Sequence, residues 1–139
     1  MTTYIFKVKL KYDKRTYREI EILENQTLDD LHWAIFRAFD FEEMHLYSFF
    51  MNNKAWSGVE FEYCAPQADG RSAKKVKINS LNLELKQKFL YLFDYGDSWE
   101  FEMEFVGNGQ AQNKVKYPIV VKKAGDSPEQ YPDYDEEDE

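Results

Sequence analysis

Residues 4 to 11, YIFKVKLK, alternate without a break: Tyr4, Phe6, Val8 and Leu10 face one way, Lys7, Lys9 and Lys11 the other. A period of two is the pattern of a strand with one buried face. After the polar turn YDKRT the alternation resumes in YREIEIL through Ile20 and Ile22, so the two runs predict a hairpin. In QTLDDLHWAIFRAFDF the period changes. Leu28, Leu31, Ile35, Ala38 and Phe39 recur at three-four spacing, Thr27 is placed to cap, and Asp29 and Asp30 fall in the first turn, where the helix dipole favours acids. Trp33 and Phe36 widen the apolar stripe.

Seven further segments follow. LYSFFM is a short apolar run, expected as a strand buried on both faces. VEFEYC alternates, with Val59, Phe61 and Tyr63 expected inward. VKINSL reads as a brief strand and turn. KFLYLFDY is apolar on both faces and therefore central, and SWEFEMEF places Trp99, Phe101, Met103 and Phe105 opposite Glu100, Glu102 and Glu104. VGNGQAQNKVK is expected to be flexible, and YPIVV to form a last edge strand. The order predicts an α+β fold in which one principal helix packs on a mainly antiparallel sheet, with a β-grasp-like hairpin–helix–strand opening.

Charge changes the picture at one end only. The net charge of the 139 residues is −8, but residues 126–139 carry eight acids and no base, which leaves the body neutral. We therefore expect one domain over residues 1–125 and a disordered acidic tail over 126–139. A neutral body and an acidic tail disfavour direct nucleic-acid binding, which needs a clustered positive footprint. The N-terminus has no apolar signal-like run and no segment is apolar enough to span a bilayer, so the expected location is the cytoplasm. Aromatic residues make up 17% of the chain, which predicts a ring-rich core. The single cysteine, Cys64, excludes an internal disulfide.

Two groups of residues could carry chemistry. Asp94 and Asp97 flank Gly96 in YLFDYGDSWEFEMEF. They fit a hairpin turn, with Gly96 at positive φ and the carboxylates accepting from local amides. The alternative, with Glu100, is a carboxylate cluster for a hard divalent cation, but that spacing around a turn does not force the oxygens to converge, and turn chemistry alone accounts for each residue. His32 and His45 match no ligand spacing, and capping or a buried hydrogen bond competes with a metal or catalytic role. The glutamate row 100, 102, 104 would be the wet side of a sheet if the lysines of the first strand lie beside it. No serine elbow, phosphate loop or cysteine–histidine pair is present.

TLDDLHWAIFRAFDFEEMHLYSF and YLFDYGDSWEFEMEF resemble the Ri-plasmid ORF-3-like family, also labelled TnpR-like after a transposon passenger gene. The resemblance rests on Thr27, Leu28, Leu31 and His32, on His45 and Leu46, and on Phe93, Asp94, Tyr95, Gly96, Asp97 and Trp99. It departs at Phe101, where family members often have histidine, at TYREIEI, and in the reduced ending after Ser127. The resemblance implies a fold, no particular reaction and an association with mobile elements. Two functions are carried forward. One is a non-catalytic interaction module with a protein partner, and no cofactor is expected for it. The other is a metal-dependent factor or small enzyme using Asp94, Asp97 and the two histidines. The candidate binding residues are His32, His45, Asp94, Asp97 and Trp99.

Overall fold

The computed structural model describes residues 1–130. Strand β1 (Thr2–Leu10) turns into β2 (Asp13–Leu23), and helix α1 (Leu28–Ala38) follows. The remaining strands are β3 (Tyr47–Phe50), β4 (Glu62–Cys64), β5 (Lys88–Phe93), β6 (Trp99–Gln110) and β7 (Ile119–Ala124). They form one seven-stranded sheet in the order β4-β3-β5-β6-β1-β2-β7, and every adjacent pair is antiparallel. The α+β class with one principal helix is therefore as expected. The β-grasp likeness stops at the opening element order, because β3 enters the sheet beyond β5 and not beside the hairpin.

Local chemistry explains where the helix begins and ends. Thr27 Oγ1 accepts from the Asp30 amide at 3.1 Å while Asp30 Oδ2 accepts from the Thr27 amide at 2.9 Å, a reciprocal capping box. At the other end Asp40 takes φ 58. The Asp40 amide bonds Arg37 O and the Phe41 amide bonds Phe36 O, each at 3.1 Å. The Phe41 and Phe36 rings meet at 6.3 Å, which completes a Schellman stop with aspartate in the position glycine usually holds.

The helix lays Leu28, Leu31 and Ile35 on the sheet face formed by Phe6, Val8, Ile20, Ile22, Phe89, Tyr91, Phe101 and Met103, all buried. Ring pairs run through this layer, among them Phe39–Phe101 at 4.8 Å and Phe41–Phe93 at 4.9 Å. β3 and β5 are also apolar behind: Phe50, Leu90 and Leu92 form a second, smaller cluster on the outer face. Beside it, the outer face of β1 and β6 is a charged ladder. Lys9 Nζ lies 3.9 Å from Glu102 and 3.8 Å from Glu104, and Lys11 Nζ lies 2.9 Å from Glu100. The lysine and glutamate rows are neighbours, which meets the condition under which the glutamates form the wet side of the sheet.

Three segments differ from the sequence expectation. Val59–Phe61 is a 3-10 turn closed by the Phe61 amide on Gly58 O, so only Glu62–Cys64 pairs as strand and Val59 points into solvent. Ile78–Leu81 is likewise a 3-10 turn. Its amides are taken by the loop before the helix, Ile78 N on Gln26 O at 2.8 Å and Asn79 N on Glu24 O at 3.0 Å, so no strand can form. The stretch through Gly107 and Gly109, expected to be flexible, continues β6. A Cβ at Gly109 would lie 2.9 Å from both Thr3 Oγ1 and Glu21 Oε2, so glycine there permits close approach.

Arg18 shares the inward face with Ile20 and Ile22 and is fully buried. Its guanidinium lies over the Phe39 ring at 4.7 Å and donates to Ala38 O, Tyr17 O, Ala124 O and Ser127 Oγ. Gln130 then clamps the chain after the helix. Its Oε1 accepts from the Glu42 amide at 2.7 Å and its Nε2 donates to Glu43 O at 2.7 Å. Ser127 and Gln130, the first part of the acidic ending, thus touch the body, and residues 131–139 of that ending lie outside the described residues.

Candidate functional site

The turn between β5 and β6 distributes its side chains to three places. Phe93 goes inward to the core, Tyr95 goes to the outer face, and Asp94 holds the turn together. Asp94 Oδ1 accepts from the amides of Gly96 at 3.1 Å and Asp97 at 3.3 Å, and the Asp94 amide donates to Leu46 O at 2.8 Å. This is Asx-turn chemistry. The positive φ values belong to Asp94 (66°) and Ser98 (54°), and not to Gly96 as expected. A Cβ at Gly96 would meet Asp94 Oδ1 at an ordinary 3.5 Å. The aspartate tolerates the left-handed region because its own carboxylate caps the turn it creates.

Of the five candidates, the structure brings two together. His45 Nε2 lies 3.5 Å from Asp94 Oδ2, at the rim where the chain enters β3. Asp97 is exposed on the turn and meets Asp94 through its amide. Trp99 is half-buried at the start of β6, 5.6 Å from Phe41, with its indole Nε1 buried and without a hydrogen-bond partner among the described residues. Among the described residues no group of three or more His, Cys, Asp or Glu side chains is placed to hold a metal ion.

His32 is elsewhere in character. It is fully buried on α1, stacks on Tyr47 at 3.8 Å with a 6° interplanar angle, and shares a 2.7 Å hydrogen bond through Nδ1 with the Tyr91 hydroxyl. Burial, aided by the charge of Arg37, pulls its pKa down to about 3, so the ring is neutral. Its Nε2 is buried without a partner among the described residues. The Tyr47 hydroxyl donates to Asp29. Burial and then that carboxylate push the Tyr47 phenol above its ordinary pKa, and burial does the same for Tyr91. This is a polar thread sewn through an aromatic core.

A second constellation, which the sequence reading missed, lies on the outer sheet face. The Trp56 ring meets Phe50 at 5.2 Å and Tyr95 at 4.9 Å, both edge-on. Trp56 is 56% exposed, yet it sits at φ 54, a strained choice for a bulky residue. Tyr95 is fixed beneath it: its hydroxyl donates to Tyr47 O at 3.1 Å and meets Ser48 Oγ at 2.7 Å. Ser48 Oγ in turn reaches Glu62 Oε2 at 2.6 Å. Beside Glu62 opens a groove of about 330 Å³ lined by Val59, Glu60, Glu62, Asp69, Gly70 and Arg71. The signal available in the sequence was a tryptophan inside a polar loop, NNKAWSG, where a ring has no helical or strand period to satisfy.

Comparison with known proteins agrees with this architecture. The family model described as plasmid pRiA4b ORF-3-like protein matches residues 2–132. The chain is also similar to a solved crystal structure, a protein of unknown function from Methanosarcina mazei Go1, with a TM-score of 0.75 and 27% identity over 91% of this chain and 71% of that one. No curated protein matches. The chain therefore belongs to the plasmid pRiA4b ORF-3-like family.

Proposed function

We propose that this family member is a small non-catalytic interaction module whose working surface is the aromatic patch centred on Trp56. The observation that supports it is the combination of exposure and strain at that residue. Holding a bulky side chain in the left-handed region costs about 1–3 kcal/mol. Within the chain, a ring that is 56% exposed recovers only part of that through Phe50 and Tyr95. Large exposed rings over a firm base are what protein interfaces use as anchors. Tyr95 provides that firmness, since its hydroxyl is tied to β3 at two points. The competing reading, a metal-dependent factor or small enzyme built on Asp94, Asp97, His32 and His45, draws support from one contact, that of His45 with Asp94.

The test is site-specific photo-crosslinking in cells. A photoreactive phenylalanine analogue at position 56 is compared with the same analogue at Leu85, an exposed apolar position outside the patch. We expect a discrete crosslinked species from position 56 and none from position 85. The same products from both positions, or none from either, would overturn the proposal.

A further inference from the structure

We infer that the patch receives a linear, positively charged segment of a protein partner, with a basic side chain in the groove beside Glu62 and an apolar one against Trp56. This rests on the interaction reading above and adds the chemistry of the partner. The groove and the aromatic patch are one surface, because Glu62 lines the groove and, through Ser48, is linked to the Tyr95 hydroxyl under Trp56. Phe50, on which the Trp56 ring rests, is also the strand neighbour of Glu62.

Charge selects the occupant. Three carboxylates, Glu60, Glu62 and Asp69, line the groove against one base, Arg71. Arg71 is engaged by other groups. Its Nε donates to Glu62 O at 3.2 Å and its Nη2 to Glu60 O at 2.7 Å, while its guanidinium lies 4.2 Å over the Tyr63 ring. Its donors go to backbone carbonyls, and among the described residues none of the three carboxylates is held in an ion pair, although Glu62 Oε2 accepts from Ser48 Oγ. A cation entering the groove gains carboxylate partners and, on the Trp56 side, an aromatic ring that attracts positive charge. Phosphate-bearing partners, whether nucleic acid or anionic lipid, meet like charge. So does the chain's own ending, since residues 131–139 carry six acids and no base.

The full-length chain is immobilised and used to select from a library of random short linear peptides, in parallel with Trp56→Ala and with the double variant Glu60→Gln/Asp69→Asn. All three substituted side chains are exposed, and thermal melts verify that each variant folds. We expect the peptides retained by the wild type to be enriched in arginine and lysine. Their affinity should fall at least roughly tenfold in either variant, and should fall again as salt is raised. If peptides whose retention depends on Trp56 are uncharged or acidic, the inference is overturned while the interaction reading stands. If no retained peptide depends on Trp56, both are overturned. Sedimentation of the wild type and Trp56→Ala covers the remaining occupant: self-association that depends on Trp56 would assign the surface to a second copy and overturn the inference.

Discussion

The two faces of the sheet are built from the same strands by the same alternation, yet they end in different states. The inner face is covered by α1 and closed, with rings, aliphatics and even His32 fully buried. Among the described residues the outer face has no helix. Over β1 and β6 it needs none, because lysines and glutamates pair across it. Over β3 and β5 the strands are apolar on that side too, and the cover is a single loop whose largest ring, Trp56, stays half in solvent. Residues on the inner face are therefore selected by packing, while the outer patch holds more exposed ring than packing requires.

The largest expected effect lies on the inner face. Phe101 is fully buried against Phe39, Phe41 and Tyr91. Phe101→Ala should cost about 3–5 kcal/mol, read as a shift in the urea midpoint with the slope unchanged. A loss below about 1 kcal/mol would mean that the inner face is not the closed core described.

His32 gives the inner face a pH signature. Its pKa is lowered from 6.5 to about 3 in the fold, so below pH 6.5 the unfolded chain binds a proton that the folded chain refuses. The stability this represents is complete above pH 6.5 and is lost as pH falls toward about 3, at a slope approaching about 1.4 kcal/mol per pH unit. Between pH 6.5 and 5, before most carboxylates titrate, the wild type should therefore lose stability faster than His32→Gln. Parallel pH profiles of the two would reveal a solvated His32.

A smaller effect is expected at the ending. Composition alone implied that residues from 126 onward offer little to bury, but Ser127 accepts from the buried Arg18 and Gln130 clamps Glu42 and Glu43. Truncation after Gly125 should cost about 1–3 kcal/mol, the range for leaving such groups without partners. Truncation after Gln130 should cost almost nothing. Equal melting temperatures for the two truncations and the full chain would show that the clamp carries no weight.

What was legible in the sequence follows the same division. Period two placed β1, β2 and β6, period three-four placed α1, and unbroken apolar runs placed β3 and β5, because each buries a continuous surface. Pairing of the lysine and glutamate rows was legible only as a condition, since alternation shows which face is wet and not which strands are neighbours. Arg18 obeyed the same period, but a base on a buried face is recognised only once the carbonyls around it are known. Val59–Phe61 and Ile78–Leu81 were misread because their backbone groups bond to nearby turns and loops, a choice made by tertiary context. The five candidates were found from residue type, and only His45 and Asp94 converge, since convergence depends on how the β5–β6 turn folds against the entry to β3. Trp56 belonged to no period and so went unnoticed.

The central claim is that Trp56 is placed for a partner and contributes little to holding the fold. The most direct measurement is the unfolding free energy of Trp56→Gly by urea denaturation. Glycine relieves the left-handed strain at φ 54, while the ring contacts with Phe50 and Tyr95 and some unfolded-chain entropy are lost. We predict a net change within about 1 kcal/mol of the wild type, in either direction. A loss of more than about 3 kcal/mol, the cost of removing a core aromatic, would show that Trp56 is part of the packing and would contradict the claim.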